Sequence, residues 1–172
     1  MTNWIMSCVT SSSFTILVNG EPMDFFRSER GLHQCFPLSP LLFILVMEGL
    51  SLLLKKSREE GSITCIKVSR LTNILHFLFV DDVLILSRAI LLEWKEIEYI
   101  IDLFYSSVGI TLNLTKSTIH YEGLTEDDLT PFKALLPYSF SALSFRFKYL
   151  GYFLKIGPHH VADWIWLVSK LS

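Results

Sequence analysis

The spacing of apolar and polar positions changes several times along this chain, and each change predicts an element. From Leu41 to Leu54 apolar side chains occupy nearly every face of a helical wheel, broken by Glu48, a pattern that predicts a buried helix. Ser39 suits its N-cap and Pro40 its first position. Lys55, Lys56 and Arg58 complement the C-terminal dipole, and Gly61 can stop the last turn, so the helix is expected over about 40–58. A second helix is expected over 90–107, where Leu91, Trp94, Ile97, Ile101 and Phe104 recur at helical spacing with Glu93, Lys95, Glu96 and Glu98 between them, up to Gly109. Strand-like residues flank Asp81-Asp82, with Leu75, Phe77 and Phe79 before and Val83 and Ile85 after, so the pair reads as the tight turn of a hairpin. Ile110–Leu114 reads as a short strand, Asn19-Gly20 as a turn, and Phe145–Leu154 as a hairpin turning at Gly151. Residues 122–140 read as a loop holding one short helix capped at Thr125. The sum is an α+β chain: a small antiparallel sheet centred on the Asp81-Asp82 hairpin, with the helices near 40–58 and 90–107 packed on one face.

Composition narrows the class. Hydrophobic residues make up 51% of the 172 residues and charged residues 19%, ample for one core and one domain over 1–172. The mean hydropathy of +0.42 points to apolar faces left uncovered, and hence to poor solubility. A formal net charge of −2 argues against a strong autonomous grip on phosphate backbones, which needs clustered Lys and Arg. Cys8, Cys35 and Cys65 form neither a C-x-x-C pair nor an even disulfide set, which fits a reducing compartment. No basic leader precedes an apolar core at the N-terminus, and the run Leu41–Leu54 is short for a bilayer. An intracellular location, nuclear or cytoplasmic, without membrane contact, is expected. His159-His160 has no Cys or acidic partner at zinc-like spacing and reads as a loop pair.

The candidate chemistry lies at Phe79-Val80-Asp81-Asp82, where two adjacent carboxylates interrupt an apolar run from Ile74 to Leu86. Carboxylates held so close repel unless a cation neutralises them, and oxygen ligands on a rigid turn suit Mg²⁺ or Mn²⁺. Such a pair suggests two-metal phosphoryl transfer. The plainer alternative is a solvated turn, since Asp is favoured there for backbone reasons alone.

Four segments, in order and at matching intervals, resemble the reverse transcriptase domain of LINE-type (non-LTR) retrotransposons, particularly those of plants. Arg30-Gly31-Leu32-His33-Gln34-Cys35-Phe36-Pro37-Leu38-Ser39-Pro40-Leu41-Leu42-Phe43 looks like the template and nucleotide loop with its following helix. Phe79-Val80-Asp81-Asp82 is similar to the aromatic-x-Asp-Asp box, Gly109-Ile110-Thr111-Leu112-Asn113 through Lys116-Ser117 to a later Gly/Asn/Lys-Ser segment, and Phe147-Lys148-Tyr149-Leu150-Gly151 to the primer-grip turn. The resemblance implies a polymerase palm and RNA-directed DNA synthesis, with an RNA template, a DNA primer and a dNTP as partners and Mg²⁺ or Mn²⁺ as cofactor. Asp81 and Asp82 would be the catalytic metal ligands, Asp81 the stronger candidate because it matches the first Asp of the box. Lys116 would lie near the leaving pyrophosphate and donate a proton or stabilise charge. Arg30, Gln34, Phe79, Tyr149 and Gly151 would contact substrate, with Tyr152 a further candidate beside the primer.

The chain also departs from that pattern. The family carries a third catalytic aspartate on a strand well upstream of the template loop, and Asp24, the only aspartate in 1–29, reads as a solvated strand edge. Cys35 and Phe36 stand where the family has Gly and Asp, which obstructs close backbone approach and removes an acceptor. His33 stands where Arg is common, which weakens a phosphate role. Asp163-Trp164 resembles the start of the thumb, at about 155–172, and Trp164 and Trp166 are expected to be exposed. The expectation is a truncated palm without fingers or most of the thumb, inactive alone. The alternative is a non-catalytic nucleic-acid-binding or structural remnant.

Overall fold

The computed structural model describes residues 2–10, 13–27, 37–143, 147–155 and 160–171. Helix α1 (Thr2–Thr10), which is not among the expected elements, leads into a ribbon. In it β1 (Ser13–Phe14) pairs with β4 (Phe26–Arg27), and β2 (Leu17–Val18) with β3 (Glu21–Pro22). Its tip is Asn19-Gly20 with φ 54° and 88°, the double positive φ that matches strand twist. Between the two pairs Met23–Phe25 stand opposite Thr15–Ile16, so the extra residue forms a bulge. Asp24 lies exposed on that bulge, as its sequence context suggests.

Helix α2 (Ser39–Glu59) agrees with the expected span, with one shift at its start: Leu38 is the cap and makes no side-chain cap bond, while Ser39 lies inside the helix. Gly61, at φ 80°, follows its end. The core forms where Met47, Leu50 and Leu54 of α2 meet Ile97, Ile100 and Phe104 of α3 (Leu91–Val108), together with Ile63 and Leu75. Apolar residues all round α2 predict full burial, and here the structure differs. Leu41, Ile44, Leu45 and Leu52 are about 60% exposed, because α3 and the neighbouring strands cover one side of the helix only. Glu93, expected among the polar residues of α3, is buried: its carboxylate accepts from Thr64 N and Oγ1 and from Ser87 Oγ at 2.9–3.1 Å. Gly109 ends α3 in the left-handed conformation, its N–H bonded to the Tyr105 carbonyl.

Strand β5 (Ile66–Lys67) pairs with β6 (Asn73–Ile74), and β7 (His76–Phe79) with β8 (Asp82–Ile85). Leu78 stands opposite Val83 and His76 opposite Ile85, so these four share one face; Leu78, Val83 and Ile85 pack on the core through it. The other face carries Phe77, Phe79, Asp82 and Leu84.

The strand expected at Ile110–Leu114 does not form. Asn113 Oδ1 accepts from the N–H groups of Thr115 and Lys116 and turns the backbone there; the strand begins later, as β9 (Thr118–Tyr121). Helix α4 (Glu126–Leu135) starts at a full capping box, Thr125 with Asp128. It carries the chain over to β10 (Ser139–Ala142), which lies parallel to β9, as a helical crossover permits. Then β11 (Phe147–Tyr149) and β12 (Tyr152–Leu154) form a hairpin whose turn, Leu150-Gly151, has φ 52° and 87°. A 3₁₀ turn at Val161–Trp164 runs into α5 (Ile165–Leu171). Trp166, expected to be exposed, is half-buried edge-on against Tyr152 and Phe153; Trp164 is 43% exposed.

The described strands thus form separate two-stranded ribbons, one of them parallel, where the pattern predicts a small antiparallel sheet. Among the described residues no helix is long and apolar enough to cross a membrane.

Candidate active site

The hairpin β7–β8 places the two aspartates. Phe79 pairs with Asp82, so the two-residue turn is Val80-Asp81, and Asp82 is the first residue of β8, one position later than a turn made of the Asp pair itself. Val80 has φ 53° and Asp81 does not have a positive φ, a combination in which glycine ordinarily stands at the first turn position. A β-branched residue there is a genuine outlier, and holding it stores strain at the tip. The apolar packing of Leu78, Val83 and Ile85 on α2 and α3 fixes the strands on either side and keeps the turn in place.

Both carboxylates are exposed, and among the described residues neither accepts a hydrogen bond nor forms an ion pair. They are therefore free oxygen donors on adjacent residues of the tip. Phe79, 55% exposed, shares the open face with Asp82.

Tyr149, at the end of β11, lies near this tip. Its hydroxyl is buried and has no hydrogen-bond partner among the described residues. Burial first, and then the negative charge of Asp82, raise its pKa. The structure thus sets Tyr149 within electrostatic reach of Asp82, which shares its hairpin face with Phe79. Gly151 follows in the β11–β12 turn at φ 87°, and a Cβ built there meets nothing within 4 Å, so the backbone conformation explains this glycine.

Lys116 is not brought into contact. It is exposed on the Asn113 turn, its backbone N–H held by the Asn113 carbonyl and side chain, and among the described residues no ion pair links it to Asp81 or Asp82. Arg30 and Gln34, with His33, Cys35 and Phe36, lie outside the described residues, as does His159.

Two hard oxygen donors fit a divalent ion of the Mg²⁺ class, which is commonly held by one or two carboxylates with the substrate's phosphates completing the shell. Among the described residues no group of three or more His, Cys, Asp or Glu side chains could hold a metal by itself. What the residue pattern alone does not reveal is the strain at Val80 and the approach of Tyr149 to Asp82. The first is signalled only by the absence of glycine in a two-residue turn. The second is a relation between residues 67 positions apart in sequence.

Compared with known proteins, residues 1–154 match the family described as reverse transcriptase (RNA-dependent DNA polymerase). The chain is also similar to an uncharacterized mitochondrial protein of Arabidopsis thaliana, 45% identical over 67 residues, which is 38% of this chain and 55% of the relative. The chain spans about half the length of that curated relative.

Proposed function

Because this chain belongs to the reverse transcriptase (RNA-dependent DNA polymerase) family, we propose that it is a palm portion of a plant LINE-type reverse transcriptase, built for nucleotidyl transfer on an RNA template. The observation that carries the reading is the strained Val80-Asp81 turn, which holds two exposed carboxylates, without a hydrogen-bond or ion-pair partner among the described residues, at one hairpin tip. In this reading Asp81 and Asp82 hold Mg²⁺ or Mn²⁺, and the ion supplies charge neutralisation for phosphates and activation of a primer hydroxyl. Phe79 lines the face on which a primer end rests, and Tyr149 keeps its proposed place beside the primer. Lys116 joins the site only through movement of its exposed side chain, so its part in pyrophosphate departure ranks below that of the aspartates. Arg30 and Gln34 keep their proposed place beside template and nucleotide.

Among the described residues no third His, Cys, Asp or Glu side chain joins the pair to make a metal-holding group, and Asp24 lies exposed on its bulge. We therefore expect weak metal binding and no primer extension by this chain alone. The test is Mn²⁺ binding and primer extension on an RNA template with Mg²⁺ and then Mn²⁺, for the parent chain and for Asp81→Asn/Asp82→Asn. Weak Mn²⁺ binding that disappears in the double variant supports the reading. Binding or extension that persists in the double variant removes the aspartates from the site, and extension lost in it shows a competent palm.

A further inference from the structure

Strands β8 and β9 each use one edge: β8 pairs with β7 and β9 with β10, and among the described residues neither has a strand on its other side. A groove of about 520 Å³ lies between them. Successive strand residues point to opposite faces, so a groove on a sheet face touches alternate residues. This one touches consecutive residues, Val83 to Leu86 along β8 and Ser117 to Glu122 through β9. It therefore opens on both strand edges, where rows of backbone N–H and C=O groups have no ladder partners among the described residues. Its floor is apolar, formed by Leu50 of α2 and by Ile101 and Tyr105 of α3.

Complementarity selects the occupant. A helix has its backbone groups already bonded and is about 10 Å across, so it satisfies neither edge. An apolar small molecule fills the floor and leaves both rows of amides unpaired. An extended peptide satisfies both, with one row of its backbone groups toward β8, the other toward β9, and alternate side chains on the floor. We propose that the groove between β8 and β9 binds an extended segment of another polypeptide, four to six residues long, with apolar side chains at alternate positions. The chain's own exposed N-terminal ribbon is a poorer fit, since its strands β1 to β4 are two residues long against four in β8 and in β9. This inference rests on backbone geometry and stands whether or not the aspartates transfer nucleotides.

The probe is a fluorescein-labelled octapeptide, Lys-Thr-Val-Thr-Val-Thr-Val-Lys, tested against the full chain by anisotropy and by hydrogen exchange. A second peptide, identical but N-methylated at alternate residues, keeps the apolar surface and removes donors from one edge. Expected are saturable binding, slowed exchange at amides of both β8 and β9, and binding weaker by about tenfold or more for the methylated peptide, since several backbone hydrogen bonds are lost. Equal affinity for the two peptides, protection elsewhere in the chain, or no binding overturns the proposal. Protection of the same amides that rises with protein concentration in the absence of peptide also overturns it, in favour of a second copy of the chain as occupant.

Discussion

Val80 is held at φ 53° by what surrounds it, because a β-branched side chain has little intrinsic access to that conformation. The strain stored in such a residue is of the order of 1–3 kcal/mol, and the extra unfolded-state freedom of glycine offsets part of its relief. Val80→Gly is therefore expected to stabilise the chain by about 1 kcal/mol, read as an upward shift in the urea midpoint. An unchanged or lowered midpoint shows that the turn relaxes without strain. His76 carries a different residue-scale consequence. Its Nε2 bonds the Ser51 hydroxyl at 3.0 Å while its Nδ1 is buried without a partner. Burial, and next the nearby Lys55, push its pKa below the ordinary 6.5; Glu48 opposes them more weakly. Neutral imidazole is thus the form the fold prefers. The stability it contributes is fully present above pH 6.5 and is lost as pH falls through the folded-state value. Thermal melts from pH 7.5 to 5 are expected to fall less steeply for His76→Asn than for the parent chain. Identical slopes would place the acid sensitivity elsewhere, for instance at His120, whose pKa burial also lowers. Of these residues the sequence marks Asp81 and Asp82 plainly, since adjacent carboxylates stand out in an apolar run. His76 and Tyr149 look ordinary in sequence, because burial of the His76 ring, against Ser51 of α2, and of the Tyr149 hydroxyl depends on tertiary packing.

At the scale of elements, α2 and α3 are legible in the sequence through their apolar runs and period, α3 also through the Gly109 that ends it, and α4 through its Thr125 capping box. Gly109 and Thr125 do what their residue types predict. The short strand is displaced from 110–114 to 118–121 because the Asn113 side chain competes for backbone N–H groups, an effect that apolar periodicity does not register. Glu93 joins three elements through one carboxylate, holding Thr64 before β5 and Ser87 after β8 from the first turn of α3. Removing it strands those donors in a partly buried place. Glu93→Ala is expected to cost about 2–3 kcal/mol in urea unfolding. A loss under about 0.5 kcal/mol, the level of an ordinary surface change, would show that water replaces the carboxylate.

For the whole molecule, the uncovered side of α2 decides behaviour in solution. Leu41 and Leu45 are both 62% exposed and lie four residues apart on one stripe. Such a face drives association more than folding. Leu41→Lys with Leu45→Glu is expected to increase the monomer fraction in size-exclusion chromatography, with stability changed by less than about 0.5 kcal/mol. A large loss of stability would show that this face is covered within the folded chain. What the sequence determined by itself is the family, through four spaced motifs, together with the principal helices and the position of the acidic hairpin, since all of these depend on residues near one another in the chain. Tertiary structure alone decided which side of α2 is buried, that Glu93 faces inward, that Tyr149 feels the charge of Asp82, and that β8 and β9, each with one strand neighbour among the described residues, line one groove. The reason is physical: burial and edge pairing are relations between segments distant in sequence, and a periodic pattern describes a segment without naming its neighbour.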